Sequence, residues 1–277
     1  MSWIELDGAV NVRDLGALPT DDGLATAPGR LLRGDNLQDL SAADVRRLVR
    51  GLGVTTVVDL RSPWEVENEG PGPLTRVETV RHVHLSVLPE LGAATDAAAP
   101  GGAATGDAAA TDGSATGPAA DALANRRDGA RSRYPDDIRC GYYLGYLEDR
   151  PDQVVAALRG IADAPGAALV NCAAGKDRTG VVVALALTAA GVTRDAVVAD
   201  YAASAERMEA ILDRLRASPT YASDIDSTPA AEQAPRPQTM AAFLGVLDDR
   251  DGGVNGWLAG HGFGPPDVRR LRAKLVG

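Results

Sequence analysis

Short apolar runs separated by polar turns dominate the first 90 residues and predict strands. The runs cover residues 9–15, 30–33, 54–60 and 80–85. The run at 54–60 is rich in β-branched residues, which is typical of a central strand. Between the second and third runs, Ser41 is placed to cap a helix that ends at residues 51–53, where two glycines occur. The first third of the chain is therefore predicted to be mainly strand.

Apolar residues in the second half recur at helical spacing, with one exception. The predicted helices cover residues 138–147, 151–161 and 179–190, then one long helix capped by Thr193 and reaching Leu215, then short helices over 243–275. The exception is a short apolar run at 167–170, which predicts a strand. Strands interspersed with helices indicate an α/β fold, a small mixed sheet with helices on both faces.

Two stretches interrupt this pattern. Residues 92–122 contain only Ala, Gly, Thr, Asp, Pro and Ser, so they have almost nothing to bury. We expect this low-complexity insertion to be disordered or weakly helical, and a linker rather than a lid. Residues 218–238 are rich in Pro, Ser and Asp and predict a second long loop. Residues 1–277 are expected to form one domain, of which the insertion and the loop are parts.

Composition excludes several classes of function. The chain has 277 residues, 45% of them hydrophobic, and a formal net charge of −10. The acidic balance argues against a nucleic-acid partner, and no apolar run approaches the ~20 residues that a bilayer requires. The two cysteines make no disulfide scaffold, and no signal peptide is visible, so we expect a cytoplasmic protein. The oligomeric state stays open.

One ten-residue stretch, Asn-Cys-Ala-Ala-Gly-Lys-Asp-Arg-Thr-Gly at 171–180, can carry chemistry. It lies between the strand at 167–170 and the helix at 179–190, so backbone N–H groups and a helix N-terminus point at one spot and can hold a phosphate. Cys172 is the candidate nucleophile of that cradle. Arg178, separated from Cys172 by five residues, is the candidate bidentate ligand of the phosphate oxygens.

This stretch resembles the signature loop Cys-X-X-Gly-Lys-Asp-Arg-Thr-Gly of bacterial tyrosine and dual-specificity (lipid) phosphatases. Further similarities to that family lie at Asn11–Gly16, Leu32–Gly34, Val57–Ser62, and at Asp200, Tyr201 and Ser204. The resemblance implies a cysteine-dependent phosphatase-like single domain with a strand–P-loop–helix active site. It also implies hydrolysis of phosphate monoesters through a phosphocysteine, without metal or other cofactor.

The rest of the loop is expected to bind the substrate phosphate. The residues are Ala173, Ala174, Gly175, Lys176, Thr179 and Gly180. Lys176 is one of only two lysines in the chain, which argues against an incidental surface charge. Thr179 is expected to hydrogen-bond the sulfur. Asn171 stands where the resembling enzymes usually have histidine, and it adds no positive charge, so the cysteine is expected to be less acidic than in its relatives.

Two carboxylates are candidates for the general acid that protonates the leaving oxygen. Asp177 is the first choice, and its alternative role is to orient Arg178 or cap the helix that starts beside it. Asp59, at the end of a predicted strand, is the second choice. Its alternative is a turn residue paired with Arg61.

Two further functional questions, the substrate and the class of function, stay open at this point. The substrate is a phosphoprotein, most favourably one phosphorylated on tyrosine, or a phosphoinositide or metabolite phosphate. A phosphate-binding pseudophosphatase and a rhodanese-like sulfur transferase are the alternatives from other classes. No metal site is expected, because His82 and His84 share a strand face without a further ligand at suitable spacing. Cys140 lies in a predicted helix without a phosphate-binding loop around it, and it is expected to be an inert buried thiol.

Overall fold

Six short strands form one mixed sheet. A computed structural model describes residues 1–88, 134, 137–222, 225 and 233–277. The strands are β1 (Ser2–Trp3), β2 (Arg13–Asp14), β3 (Leu31–Gly34), β4 (Val54–Asp59), β5 (Arg81–His84) and β6 (Ala167–Asn171). Their order across the sheet is β1-β2-β3-β6-β4-β5. The two N-terminal pairings are antiparallel, and β3, β6, β4 and β5 run parallel.

Strand β6 lies at the centre of the parallel part, between β3 and β4. Asn171, its last residue, is level with Gly34 of β3 and with Asp59 of β4. The three carboxyl ends therefore meet at one edge, the position where parallel sheets bind their ligands. The loop that follows β6 lies at that edge.

Helices cover both faces of the sheet, as expected. They are α1 (Ala42–Arg46), α2 (Pro63–Glu69), α3 (Ile138–Asp149), α4 (Pro151–Ala162), α5 (Arg178–Ala189), α6 (Arg194–Ala203), α7 (Met208–Ala217), α8 (Pro237–Asp251), α9 (Val254–Gly260) and α10 (Pro265–Leu275). Ala168 and Val170 of β6 join the larger apolar cluster, with α3, α4, α5 and α8. Ala167 and Leu169 belong to a second apolar cluster on the other face. Both faces of this strand are thus buried, which explains the apolar run at its first four positions, 167–170.

Most predicted elements are confirmed, with small shifts of their ends. Helix α1 begins after Ser41, whose hydroxyl accepts a hydrogen bond from the backbone of Asp44, and it continues as a π-helical turn to Gly51. The strand expected over 9–15 is reduced to Arg13–Asp14. The backbone N–H groups of Val10 and Asn11 are bound by the carboxylate of Asp35 instead of a neighbouring strand.

The long helix expected from 194 to 215 is wrong, because the chain breaks it in two. A 3-10 turn, Ser204–Arg207, separates α6 from α7. The hydroxyl of Ser204 accepts hydrogen bonds there from Arg13 and Asn11, so the break serves a contact with the N-terminal strands. Thr193 does precede α6, but its side chain makes no capping bond.

Two predicted segments lie wholly or partly beyond the described residues. The tract at 92–122 is outside them. Of the loop at 218–238, only 218–222, 225 and 233–238 are described, and α8 already begins at Pro237.

Candidate active site

Residues 172–177 connect β6 to α5 in a tight turn. Gly175 has φ +68°, which favours glycine. A Cβ at this position would lie 2.5 Å from the carbonyl oxygen of Gly34, so a side chain would also collide with the end of β3. The loop is therefore pressed directly onto the neighbouring strand, and its position follows from that of the sheet.

The two cysteines lie in different surroundings. Cys172 is the first residue after β6, is 2% exposed and carries a free thiol. It lies within electrostatic range of Arg178. Burial alone would lower the pKa of that guanidinium, but the charges of Glu65 and of a Cys172 thiolate raise it well above its usual value. Cys140 has no such cationic partner among the residues that the structure describes. Burial, followed by the charge of Asp137, raises the pKa of its thiol to about 12, so Cys140 is an unreactive thiol.

Glu65 binds Arg178, the residue expected to hold the phosphate. The Nη1 and Nη2 atoms of Arg178 donate to the two carboxylate oxygens of Glu65 at 2.5 and 2.8 Å. Nη1 also donates to the carbonyl of Leu60 at 3.3 Å. A guanidinium has five N–H donors, so the Nε–H and one Nη2–H have no partner in the described part of the chain. These two lie on one edge of the planar group and form the fork that binds two oxygens of an anion.

Glu65 is held in place by its own helix. Its side chain accepts a hydrogen bond from the backbone of Ser62 at 2.6 Å, and its backbone N–H donates to the hydroxyl of Ser62 at 3.2 Å. This reciprocal pair caps α2. Burial alone would raise the pKa of Glu65, but the charge and hydrogen bonds of Arg178 and those of Ser62 lower it to about 2. Glu65 is therefore a fixed anion behind Arg178.

Asp177 contacts neither of its expected structural partners. One carboxylate oxygen accepts from the hydroxyl of Tyr143 at 2.6 Å, and the other accepts from Nζ of Lys176 at 2.5 Å. The side chain makes no capping bond at α5. Burial would raise the pKa of this carboxyl, but the charges of Lys176 and Arg139 and the two hydrogen bonds lower it to about 2. Asp177 is thus an anion at the loop, and its side chain is 27% exposed.

Asp59 and Arg61 form a pair at the end of β4. Nη2 of Arg61 lies 2.6 Å from Asp59, and its Nε also donates to that carboxylate. Nη1 of Arg61 donates to Asn36 and to the carbonyl of Gly70. Asn171 donates to Asp59 at 3.4 Å. This is the pairing expected as the alternative to an acid role for Asp59, and it ties the ends of β4, β6 and α2 together.

Two polar atoms of the loop region have no partner. The side-chain oxygens of Thr179 and Asn171 are buried and without a hydrogen bond among the described residues. The bond expected from Thr179 to the sulfur of Cys172 is therefore absent. Thr179 belongs to the first turn of α5, where the backbone N–H groups are also free of intrahelical partners. Gly180 follows, with Tyr201 so close that a Cβ would lie 3.0 Å from its ring.

Helix α7 and the turn after it cover one side of the loop. Ala173 and Ala174 pack against Ile211, Leu215 and Tyr221. Burial, followed by the charge of Glu65, raises the pKa of the Tyr221 hydroxyl, which is buried without a hydrogen bond in the described chain. Tyr221 therefore lies within electrostatic range of the Glu65–Arg178 pair and beside Ala173 and Ala174 of the loop.

The sequence profile of the tyrosine phosphatase family matches residues 4–277. In an alignment 294 positions long, the chain is 33% identical to a triple specificity protein phosphatase, PtpB, of Mycobacterium tuberculosis, and the alignment covers all of both chains. It is 32% identical to a putative tyrosine-protein phosphatase of Cupriavidus necator over 74% of this chain and 63% of that one. A tyrosine-protein phosphatase of Nostoc commune is 30% identical over 51% of this chain and 50% of the relative.

The chain belongs to the tyrosine phosphatase family. The resemblance drawn from the loop at 172–180 is thereby confirmed, as is the α/β fold with one mixed sheet. As a member of this family, the protein is a phosphoric monoester hydrolase, and the family's mechanism depends on cysteine. Sulfur transfer and a pure binding role are the alternatives that this membership disfavours.

The phosphatase site also contains residues that sequence reasoning missed. Glu65 and helix α2 were not predicted, although Ser62-Pro63-Trp64-Glu65 has both a capping-box spacing and a proline at the first helical position. Tyr143 carries no local signal. Within the described residues no three His, Cys, Asp or Glu side chains are grouped to hold a metal ion, and no helix combines the length and hydrophobicity that a membrane crossing requires.

Proposed function

We propose that this tyrosine phosphatase works through Cys172, Arg178 and Asp177. The sulfur of Cys172 attacks the phosphorus, the bond from phosphorus to the leaving oxygen breaks, and Asp177 gives its proton to that oxygen. Water then attacks the phosphocysteine and loses a proton to Asp177. The phosphorus–sulfur bond breaks, which releases inorganic phosphate and restores the thiolate.

The observation that carries the proposal is the orientation of Arg178. Glu65 occupies one edge of the guanidinium, and the edge with Nε and the second Nη2–H is left for the substrate. Two phosphate oxygens fit such an edge, and they stay bound as charge develops in the transition state. The free hydroxyl of Thr179 and the backbone N–H groups of the loop supply further donors to the same anion.

Asp177 must acquire a proton before it can act as the acid. Its pKa of about 2 belongs to a loop without substrate, in which Lys176 and Tyr143 both stabilise the carboxylate. A phosphate dianion in the loop raises that pKa by like-charge repulsion, and it also competes for Lys176. The 2.6 Å bond from Tyr143 meanwhile keeps the carboxyl directed. Asp59 is less suited to take up a proton, because Arg61 binds both of its carboxylate oxygens.

The burial of the Cys172 thiol supports phosphotyrosine as the substrate. Cys172 is 2% exposed, and Tyr221 lies over the adjoining Ala173 and Ala174. A phosphate at the end of a long, flat aryl stem reaches a buried thiolate more readily than one on the short side chain of serine. The Mycobacterium tuberculosis relative is named a triple specificity protein phosphatase, so substrates other than phosphotyrosine belong in the same comparison. Two free cysteines also suit a reducing compartment such as the cytoplasm.

A panel of phosphate monoesters, assayed with EDTA present, tests the proposal. We expect a phosphotyrosyl peptide to show the highest kcat/KM, above a phosphoseryl peptide, a short-chain phosphoinositide and a sugar phosphate. A higher kcat/KM for the phosphoinositide or sugar phosphate would contradict the substrate assignment while preserving the chemistry. No phosphate release from any member with EDTA, and recovery when a divalent cation replaces it, would contradict the metal-independent mechanism.

A further inference from the structure

Three consecutive carbonyl groups of the phosphate loop are each bound from outside the loop. The carbonyl of Ala173 accepts from the backbone N–H of Asn36 at 3.0 Å. The carbonyl of Ala174 accepts from Nδ2 of Asn11 at 2.9 Å. The carbonyl of Gly175 accepts from Nη2 of Arg33 at 2.7 Å.

These bonds fix the direction of the loop's amide groups. In a trans peptide unit the carbonyl and the following N–H point to opposite sides. Carbonyls held outward at 173, 174 and 175 therefore turn the N–H groups of Ala174, Gly175 and Lys176 to the inside of the loop. Three successive N–H groups on one side form a concave site for an anion.

Two of the three carbonyls are bound by side chains, those of Asn11 and Arg33, and both side chains belong to one buried hydrogen-bonded group. Arg33 donates through Nη1 to Asp200 at 2.6 Å, and Arg13 donates through Nε to the other oxygen of the same carboxylate at 2.8 Å. Arg13 also donates to the side-chain oxygen of Asn11 at 2.8 Å, which leaves the amide nitrogen of Asn11 for Ala174. Arg13 and Arg33 are both fully buried.

The two arginines of this group, Arg13 and Arg33, differ in whether they contact the phosphate loop. Arg33 uses separate nitrogens for Asp200 and for the loop, whereas Arg13 contacts no loop carbonyl. The planar fork of an arginine spans both partners at once, and the single ammonium of a lysine does not. The loop contact therefore depends on arginine at position 33, while the positive charge beneath the loop does not.

We propose that Arg33 and Asn11 are positioning residues for catalysis, which hold the loop carbonyls outward so that the N–H groups bind the phosphate. The proposal rests on the proposed function, because it concerns the same loop. It gives the Asn-X-Arg and Leu-Arg-Gly segments a defined part in the reaction. Neither residue touches the substrate, so their effect passes through the direction of three backbone N–H groups.

Arg33→Lys tests the proposal, since it keeps the charge and removes the fork. The direct readout is the ratio of alkylation rates of Cys172 by iodoacetate, an anion, and by iodoacetamide, which is neutral and of similar size. We expect the ratio to fall by about tenfold or more, with a matching rise in the inhibition constant of inorganic phosphate and a fall in kcat/KM, because a small misplacement of binding groups costs this much. Unfolding would also lower the ratio, because it exposes Cys172 and removes the loop around it. The rates are therefore compared only for variant protein whose circular dichroism and cooperative melting show that it is folded.

Lys274→Met is the matched control. Lys274 is also a cation that binds two backbone carbonyls, those of Ala164 and Gly166, but at the opposite end of β6. Its loss should lower the melting temperature and leave the alkylation ratio and the phosphate inhibition constant at the wild-type values. Asn11→Asp serves if Arg33→Lys does not fold. It keeps an acceptor for Arg13 and loses the donor to Ala174, so the same fall in the ratio is expected.

The outcomes separate this inference from the proposed function. An unchanged ratio in folded Arg33→Lys or Asn11→Asp, with wild-type Cys172 preferring iodoacetate and protected by phosphate, overturns the positioning role alone. A wild-type enzyme that hydrolyses no phosphate monoester, or whose Cys172 shows no preference for iodoacetate, overturns the proposed function first.

Discussion

Glu65 and Arg178 form a bidentate ion pair, with distances of 2.5 and 2.8 Å between their oxygens and nitrogens. The carboxylate that orients the phosphate-binding arginine also accepts the hydrogen bond from the backbone of Ser62 that caps helix α2. The position of a short surface helix and the direction of the arginine are thereby linked. Neither residue is close to the other in sequence.

Glu65→Gln should lower kcat/KM by more than its loss of stability explains. We expect kcat/KM to fall by about tenfold to a hundredfold, because Arg178 loses the charge that fixes its edge. Breaking the buried pair should also lower the free energy of unfolding by about 3 kcal/mol. Steady-state kinetics on a phosphotyrosyl peptide and denaturant unfolding measure the two effects.

Ser62→Ala is the control for that variant. It removes the other half of the capping box, the bond from the backbone of Glu65 to the Ser62 hydroxyl, and leaves the carboxylate in place. We expect about 1 kcal/mol of destabilisation and near wild-type kcat/KM. An equal loss of activity in both variants would mean that Glu65 acts only through the stability of α2.

Asp177→Asn should slow substrates with poor leaving groups far more than activated aryl phosphates. An activated phenoxide needs little protonation, so its release depends less on an acid. Asp59→Asn, which disturbs the pair with Arg61, should slow all substrates alike. A series of aryl phosphates of graded leaving-group pKa measures the dependence. A steep dependence for Asp59→Asn and a uniform loss for Asp177→Asn would reverse the assignment.

Tyr143→Phe should move the basic limb of the kcat profile to higher pH. The hydroxyl of Tyr143 donates to the charged form of Asp177, so its removal raises the pKa of that carboxyl. Tyr201→Phe keeps the bond from Tyr143 to Asp177 and should leave the limb where it is. A pH–rate profile for each variant measures the shift. An unmoved limb in Tyr143→Phe would show that Asp177 does not set it.

Acid should remove the stabilisation that Glu65 provides within a defined window. Its pKa falls from the usual 4.5 to about 2 on folding, so the contribution is fully present above about pH 4.5 and is lost as pH falls toward 2. The difference in unfolding free energy between wild type and Glu65→Gln should therefore shrink over that range. A difference that stays constant down to pH 2 would show that Glu65 is not ionised in the folded protein.

Local patterns in the sequence predicted the central strands and the loop. A β-branched run and an apolar run fixed β4 and β6, and the Cys-to-Arg spacing of the loop needs no distant partner to be recognised. The residues behind the loop were harder to assign. Glu65 and Tyr143 meet Arg178 and Asp177 only after the chain folds, and nothing in their spacing reports those contacts. The break at Ser204 likewise depends on Arg13, almost two hundred residues earlier.

Cys172→Ser should abolish turnover while the site still binds anions. The serine hydroxyl does not ionise at neutral pH, but Arg178 and the loop N–H groups remain. We expect inorganic phosphate to raise the melting temperature of the variant as it does that of the wild type. Residual hydrolysis at an appreciable fraction of the wild-type rate would mean that another group is the nucleophile.

Trapping the phosphoenzyme tests the central claim most directly. Wild-type protein is mixed with an aryl phosphate, quenched in acid within one turnover, digested and examined by mass spectrometry. The account predicts a phosphoryl group on the peptide that carries Cys172, with none on the same peptide from Cys172→Ser. A phosphoryl group on any other residue, or rapid turnover in which none is trapped on Cys172, would contradict it.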